Sequence, residues 1–390
     1  MTQRLFYDDQ YLREFTGTVV KRLTHDGKPA VILDRTAFYP TSGGQPNDTG
    51  TLGSARVLDV VEQGEEIVHV LDLDPPGDSL KGAIHWDRRL DHMQQHHGQH
   101  LLSAAFVEIA HAETASFHLG DETCTIDLDK AVTPADLDAA EDRTNRVIWE
   151  NRAIAIGYFT KEEVAKLPLR KPPQVEGKIR VVRAGDFDCS ACCGTHPRST
   201  GEVGVALVLG LEKGKGGARV SFVCGHRAVA FARKSHAILR GAGAKISSSR
   251  LELEAAIERI QAEAGEARKA LRGAEKRLAG LDAVELAATA VAKGKARIVV
   301  KVLDGRELEY IRAVATEIVA KPGMIALIGG AGCIVLGRSQ DLGVDLRPIG
   351  KEALAAIAGK GGGPANFVQG GGPGDVKAAL TLAEQKIGVL

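Results

Sequence analysis

The sequence predicts a multidomain α+β protein, and three observations carry that prediction. Short β-rich runs separated by turn clusters fill the first eighty-odd residues. Helical periodicity then alternates with period-two strands as far as residue 225, and a heptad-spaced segment leads into a glycine-rich α/β pattern. At 390 residues the chain is long for one core, and 44% hydrophobic residues give ample apolar surface to bury.

Residues 1–86 read as a small β-barrel domain. Thr18-Val19-Val20, Ala30-Val31-Ile32-Leu33 and the run at 55–61 alternate with turn signals at Asp26-Gly27 and Pro75-Pro76-Gly77. Residues 87–225 read as an α+β domain with helices packed on an antiparallel sheet. Its helical pattern begins around Asp87 and holds the histidines within 93–106, and a second helix begins at Thr133-Pro134, where threonine suits the cap and proline the first turn. Period-two alternation marks strands at 123–128, 178–182 and 218–223. Residues 226–290 form a helical segment in which Leu253, Ile257, Ile260, Ala264, Ala267, Leu271, Ala274, Leu278 and Leu281 make a heptad seam, the pattern of a coiled coil. Residues 291–390 read as a glycine-rich α/β domain, with strands at 296–302 and 324–328 and a helix near 307–320. Two glycine stretches, 359–363 and 370–374, are expected as loops, the second opening a final helix, where bare backbone amides can meet phosphate.

The chemistry concentrates in His96-His97-Gly98-Gln99-His100 and Cys192-Cys193-Gly194-Thr195-His196. An i, i+4 spacing puts His96 and His100 on one helical face, and Cys192 with His196 supplies a matching half-site. One such histidine pair alone is more often a solvated face or a satisfied core residue; two half-sites together point to a metal, with zinc as the first expectation because it accepts imidazole and thiolate alike. His97 is turned about 100° from that face, and it is left out with His92. Cys189 and Cys193 remain competing thiols beside Cys192.

Fifty basic and fifty acidic residues cancel, so no global field announces a nucleic-acid partner, and contacts of that kind fall to local groups: Lys166 with Arg170-Lys171, Lys213 with Lys215 and Arg219, and the Lys351 and Lys360 region. No apolar run approaches the ~20 residues that span a bilayer, so no membrane partner is expected. Six cysteines without a secretory signal fit a reduced cytoplasmic protein, with Cys124, Cys224 and Cys333 as buried small hydrophobes. The G-x-x-x-x-G-K-[ST] phosphate loop is absent, which weighs against nucleotide hydrolysis.

Four landmarks in order resemble the freestanding alanyl-tRNA editing proteins of the AlaX family, which are similar to the editing half of alanyl-tRNA synthetase. They are Phe38-Tyr39-Pro40 with Ser42-Gly43-Gly44-Gln45, the His96/His100 pair before Leu101-Leu102, Cys192-Cys193-Gly194-Thr195-His196 before Thr200-Gly201-Glu202-Val203-Gly204, and the glycine-rich C-terminal domain. The resemblance covers nearly the whole chain and matches the family's long form. The synthetase pattern has glycine where Cys193 stands.

That resemblance implies a zinc-dependent hydrolase that deacylates tRNA(Ala) mischarged with serine, or with glycine, without ATP. It makes His96, His100, Cys192 and His196 both metal ligands and the catalytic set, and residues 87–225 the zinc-binding editing domain. Gly43, Gly44, Gln45, Thr114, Ser116, His118 and Thr195 become candidate substrate contacts. Lys360, Gly361, Gly362, Gly363, Gly370, Gly371 and Gly372 become candidate tRNA contacts, and the helical segment or the last domain a homodimer interface. With Leu5 already in the barrel, action in trans on tRNA charged elsewhere is expected. The rival reading is a tRNA-binding module with a purely structural zinc.

Overall fold

The computed structural model describes residues 1–171, 177–214 and 216–387, so Lys215 of the second basic cluster lies outside them. The chain divides into two compact units, Met1–Gly241 and Ala242–Leu390.

After a short strand at Gln3–Arg4 and one helical turn at Leu5–Asp8, where Leu5 packs on the core below without joining its strands, the first unit forms six antiparallel strands: β1 (Glu14–His25), β2 (Lys28–Leu33), β3 (Gly50–Leu52), β4 (Ala55–Gln63), β5 (Glu66–Leu71) and β6 (Ser79–Ile84). They pair in a closed ring, β1-β2-β5-β4-β3-β6, in which β6 returns to β1 through Glu14↔Ala83 to Thr18↔Ser79. Closure removes sheet edges and points alternate residues inward, where Val31, Leu33, Phe38, Leu52, Val60, Ile67 and Leu71 form the core. Asp26 and Gly27 both take positive φ, 48° and 77°, as a two-residue hairpin turn between β1 and β2 requires.

Helix α1 (Trp86–Ala110) follows and is buried along most of its length from His92 to Phe106. Arg89, wholly inaccessible, docks it by donating to the Asp48 carboxylate and to the carbonyls of Ala37 and Gln10. A buried pair of this kind holds only because the remaining donors find carbonyls. Next come β7 (Thr114–Leu119), β8 (Cys124–Leu128) and α2 (Pro134–Trp149), whose Thr133 and Asp136 form a capping box. Strands β9 (Ile154–Phe159), β10 (Ile179–Ala184) and β11 (Asp188–Ala191) make a three-stranded antiparallel sheet. Strands β12 (Ala206–Lys213) and β13 (Ala218–Cys224) complete a second, antiparallel sheet in the order β12-β13-β8-β7. Leu101, Leu102 and Phe106 of α1 and Val147 and Ile148 of α2 close over Ile126, Val220 and Phe222 of that sheet. Helix α3 (Gly225–Lys245) leaves this unit.

The second unit opens with α4 (Leu253–Ala288), one helix of 36 residues. Its packed face is alanine: Ala279, Ala283 and Ala287 sit on Ile311, Val314 and Ile318 of α5 (Leu308–Val319). The larger seam residues Ile257, Ile260, Leu271, Leu278 and Leu281 stay exposed. The sheet comprises β14 (Val291–Lys293), β15 (Ala296–Val302), β16 (Met324–Gly329), β17 (Cys333–Arg338), β18 (Lys360–Gly362) and β19 (Phe367–Gly371), in the order β14-β15-β16-β17-β19-β18. Helices α6 (Leu346–Ala356) and α7 (Val376–Ile387) cover the face bearing Ile298, Leu327 and Leu336.

The glycine stretches depart from the loops expected of them. Both contribute strands, with Lys360–Gly362 antiparallel to Phe367–Gly371. A Cβ on Gly361 would lie 2.2 Å from the Gln369 carbonyl oxygen, and one on Gly370 2.4 Å from that of Lys360, so glycine here permits close strand approach. Asp375 caps the final helix by accepting from the Lys377 and Ala378 amides. Among the described residues no helix is long and apolar enough to cross a membrane.

Candidate metal centre and substrate cavity

Helix α1 presents His96 and His100 one turn apart, and the turn after β11 brings Cys192 and His196 against them. One donor atom from each of the four lies within 4.8 Å of the others. Cys192 Sγ is 3.1 Å from His96 Nε2 and 3.3 Å from His196 Nε2, and the ring centroids of His100 and His196 are 4.9 Å apart. Three imidazoles around one thiolate is a donor set that suits zinc, and each contributor except Cys192 is buried below a twentieth of its surface. Cys189 is buried in β11 and Cys193 is exposed; neither joins the four.

The turn is held from every side. The Gly194 amide donates to Cys192 Sγ at 3.3 Å, and Arg180 Nη1 donates to the carbonyls of Cys192 and Gly194 at 2.7 and 3.0 Å. Tyr39 hydroxyl donates to the Cys193 carbonyl, and Gln10 accepts from the His196 amide. A Cβ on Gly194 would fall 2.3 Å from the His96 ring, so glycine is required for this approach.

The electrostatics follow from burial and mutual contact. Burial pushes the Cys192 thiol up, but His96, His196 and His100 overcome it and hold the group well below the ordinary thiol range, as thiolate. Burial lowers His100, yet Cys192 and Asp188 raise it to about 9. Burial dominates at His196, pushed down to about 3, and at His97, also held well down.

His97 stays outside the four donors, as its place on the helix leads one to expect, yet it is not solvated. Its ring is buried, with Nδ1 3.0 Å from His196 Nδ1, because α1 is enclosed on that side as well. Two further residues went unread in the sequence: Asp188, which binds His100 Nδ1 at 2.9 Å, and Arg180. Nothing in the local spacing marks either one, since each meets the site only through the strand order β9-β10-β11.

A cavity of about 1030 Å³ opens beside the four donors. Gly43, Thr114 and Ser116 line it together with His96, His100 and Cys192. Thr114 Oγ1 lies 2.6 Å from Ser103 Oγ, which in turn accepts from Gln99, another cavity residue. Ser116 donates to Asp127. Gly44 packs on the Phe117 ring and is not among the lining residues. Gln45 is fully buried: its amide donates to Thr195 Oγ1 at 2.7 Å and accepts from the Thr195 amide at 3.0 Å, so both residues clamp the turn. His118 is exposed and outside the lining. Arg4, Arg170, Lys171, Lys178 and Arg180 make the wall basic, and no carboxylate joins them among the described lining residues.

The basic groups named in the sequence divide. Arg170 pairs with Asp188 and Lys171 donates to the Thr114 carbonyl, both at the cavity, whereas Arg219 is bound to Asp127. In the second unit Gly362 and Gly363 line a groove of about 750 Å³ with Arg312, Arg338 and Gln369. Lys360, Gly361, Gly370, Gly371 and Gly372 lie outside that lining.

Comparison with known proteins agrees with this architecture. Residues 179–221 match the family described as the threonyl and alanyl tRNA synthetase second additional domain, and residues 5–88 match class II (A) tRNA synthetases. The alanine–tRNA ligases of Pyrococcus abyssi and Pyrobaculum neutrophilum are 31% and 33% identical, over 100% and 96% of this chain. The chain spans only 44% and 43% of those ligases. The alanyl-tRNA editing protein AlaX-L of Pyrococcus horikoshii is 31% identical over 95% of this chain and 94% of its own. On that near end-to-end match, the chain belongs to the alanyl-tRNA editing proteins of the AlaX-L type.

Proposed function

We propose that this protein is an aminoacyl-tRNA deacylase that cleaves the ester of tRNA(Ala) mischarged with serine, and of its glycyl counterpart, releasing free amino acid and tRNA. The observation that carries the reading is the convergence of His96, His100, Cys192 and His196 beside a basic cavity large enough for an aminoacylated terminal nucleoside. When bound there, zinc would supply a fixed positive charge for anchoring or polarising the reacting group.

The ester is already activated, so the protein's share is orientation and stabilisation of the charge developing on the carbonyl oxygen. Arg180 and Lys178 give the cavity a field that favours the anionic acceptor end. The hydroxyl chain Gln99, Ser103 and Thr114 supplies a polar partner for a serine hydroxyl, and a site built to bond that group separates serine from alanine far better than an apolar pocket does. Gly43 and Ser116 complete the wall, while Gln45 and Thr195 act by holding the turn. Lys360 and the glycines at 361–363 and 370–372 are assigned to the tRNA body, and the exposed Leu271, Leu278 and Leu281 seam of α4 to pairing with a second copy.

Purified protein loaded with zinc is expected to deacylate seryl-tRNA(Ala) and spare alanyl-tRNA(Ala). His100→Ala, confirmed folded by circular dichroism, should lose that turnover. Clean wild-type protein without seryl-tRNA turnover refutes the assignment.

A further inference from the structure

The three imidazoles of the centre are not held alike. His96 Nδ1 is buried without a hydrogen-bond partner among the described residues, and His196 Nδ1 faces another neutral ring, His97. His100 alone is tied to a carboxylate: its Nδ1 lies 2.9 Å from Asp188 Oδ2. The Asp188 side chain is 1% exposed, and its second oxygen accepts from Arg170 Nε at 2.9 Å. Ser190 Oγ, 3.0 and 3.1 Å from the two carboxylate oxygens, also accepts from Arg170 Nη2 at 3.1 Å. Strand β11, which carries Asp188 and Ser190, and the segment carrying Arg170 therefore converge on the one carboxylate that holds His100.

We propose that Asp188, braced by Arg170 and Ser190, is a positioning residue that fixes the tautomer and ring angle of His100. The carboxylate accepts the Nδ1 proton, so Nε2 is the ring nitrogen left for the metal. A ligand fixed before the metal arrives loses no rotamer freedom on binding, and outer carboxylate partners of this kind typically govern about 10- to 100-fold in metal affinity. The inference rests on the metal reading above, yet its test does not depend on tRNA hydrolysis.

Zinc affinity is measured by competition with a chromophoric chelator for wild type, Asp188→Asn and Asp188→Ala. Circular dichroism of each variant reports the fold. Asparagine keeps the shape and loses the charge, so about 10-fold weaker binding is expected; alanine removes the acceptor, and about 100-fold is expected. Saturating zinc should restore seryl-tRNA turnover in Asp188→Asn to near the wild-type kcat, which a mere packing defect would not do. If Asp188→Ala does not fold, Arg170→Gln, which removes only the brace, should weaken zinc to an intermediate degree. Folded variants that bind zinc within twofold of wild type overturn the proposal. A wild type that deacylates nothing, but whose zinc affinity still falls on Asp188→Asn, removes the enzymatic reading and leaves this one standing.

Discussion

Gly98 sits between the two histidine positions on α1, and its replacement by alanine tests how tightly the helix that carries them is seated. In an exposed helix interior, Gly→Ala stabilises by about 1 kcal/mol through reduced chain entropy. Here a Cβ would lie 2.2 Å from Cys224 Sγ, 3.2 Å from Cys224 Cβ and 3.5 Å from Val203 Cγ1, all wholly buried. Overpacking of this kind costs about 1–3 kcal/mol, and a 2.2 Å approach to a wholly buried sulfur belongs at the upper end. The difference predicts a net loss of about 2 kcal/mol for Gly98→Ala. In the first unit, Met1–Gly241, that corresponds to a drop of about 4–8 °C in Tm. Removing the sulfur relieves the worst contact, so Cys224→Ala in the same chain should recover more than half of the loss. Urea melts of wild type, both single variants and the double variant give the coupling directly. A Gly98→Ala protein as stable as wild type or more so, or a double variant whose losses simply add, refutes the close seating of α1 on β13.

Two further outcomes follow from buried polar groups. His69 is wholly buried against Thr36 and the Val31 carbonyl, and burial lowers it from 6.5 to about 4. The unfolded chain therefore binds the proton first: its share of stability is intact above pH 6.5 and falls by about 3 kcal/mol as pH drops to 4, so His69→Gln should flatten the stability profile in that window by about 1.4 kcal/mol per pH unit. Gln45→Ala removes both bonds to Thr195 and leaves a buried amide unpaired, which should cost about 3 kcal/mol in a urea melt and weaken zinc retention. An unchanged urea midpoint would count against Gln45 as the clamp of the turn.

The elements legible in the sequence are those whose pattern is local. Thr133-Pro134 marks the start of α2 because cap and proline act within one turn, and period-two alternation at 218–223 marks β13 because one face is buried. The four converging donors were legible for the same reason, since each half-site lies within five residues. Asp188 was not, because its partner His100 is 88 residues away and only the strand order brings them together. The glycine runs misled because glycine serves loops and tight strand pairing equally, and sequence holds no sign of which carbonyl will lie 2.2 Å from the missing Cβ. In α4 the heptad spacing marks a helix, yet it is the stripe of Ala279, Ala283 and Ala287 that packs, since small side chains let α5 approach.

The site is built from segments that could not hold it separately. Gln45 belongs to the loop between β2 and β3, while Thr195, Cys192 and His196 belong to the turn after β11, and a buried bidentate amide joins them across 150 residues. The remaining faces of that turn lean on Arg180 from β10, Tyr39 from the same loop as Gln45 and Gln10 from the segment before β1. The four donors lie within 4.8 Å of one another, and the turn that carries two of them is fixed by hydrogen bonds from distant segments. The bonds that hold it come from the loop that the ring carries between β2 and β3 and from the β9-β10-β11 sheet. It follows that a fragment lacking the ring, and with it this loop, should lose the metal geometry even with all four donors present.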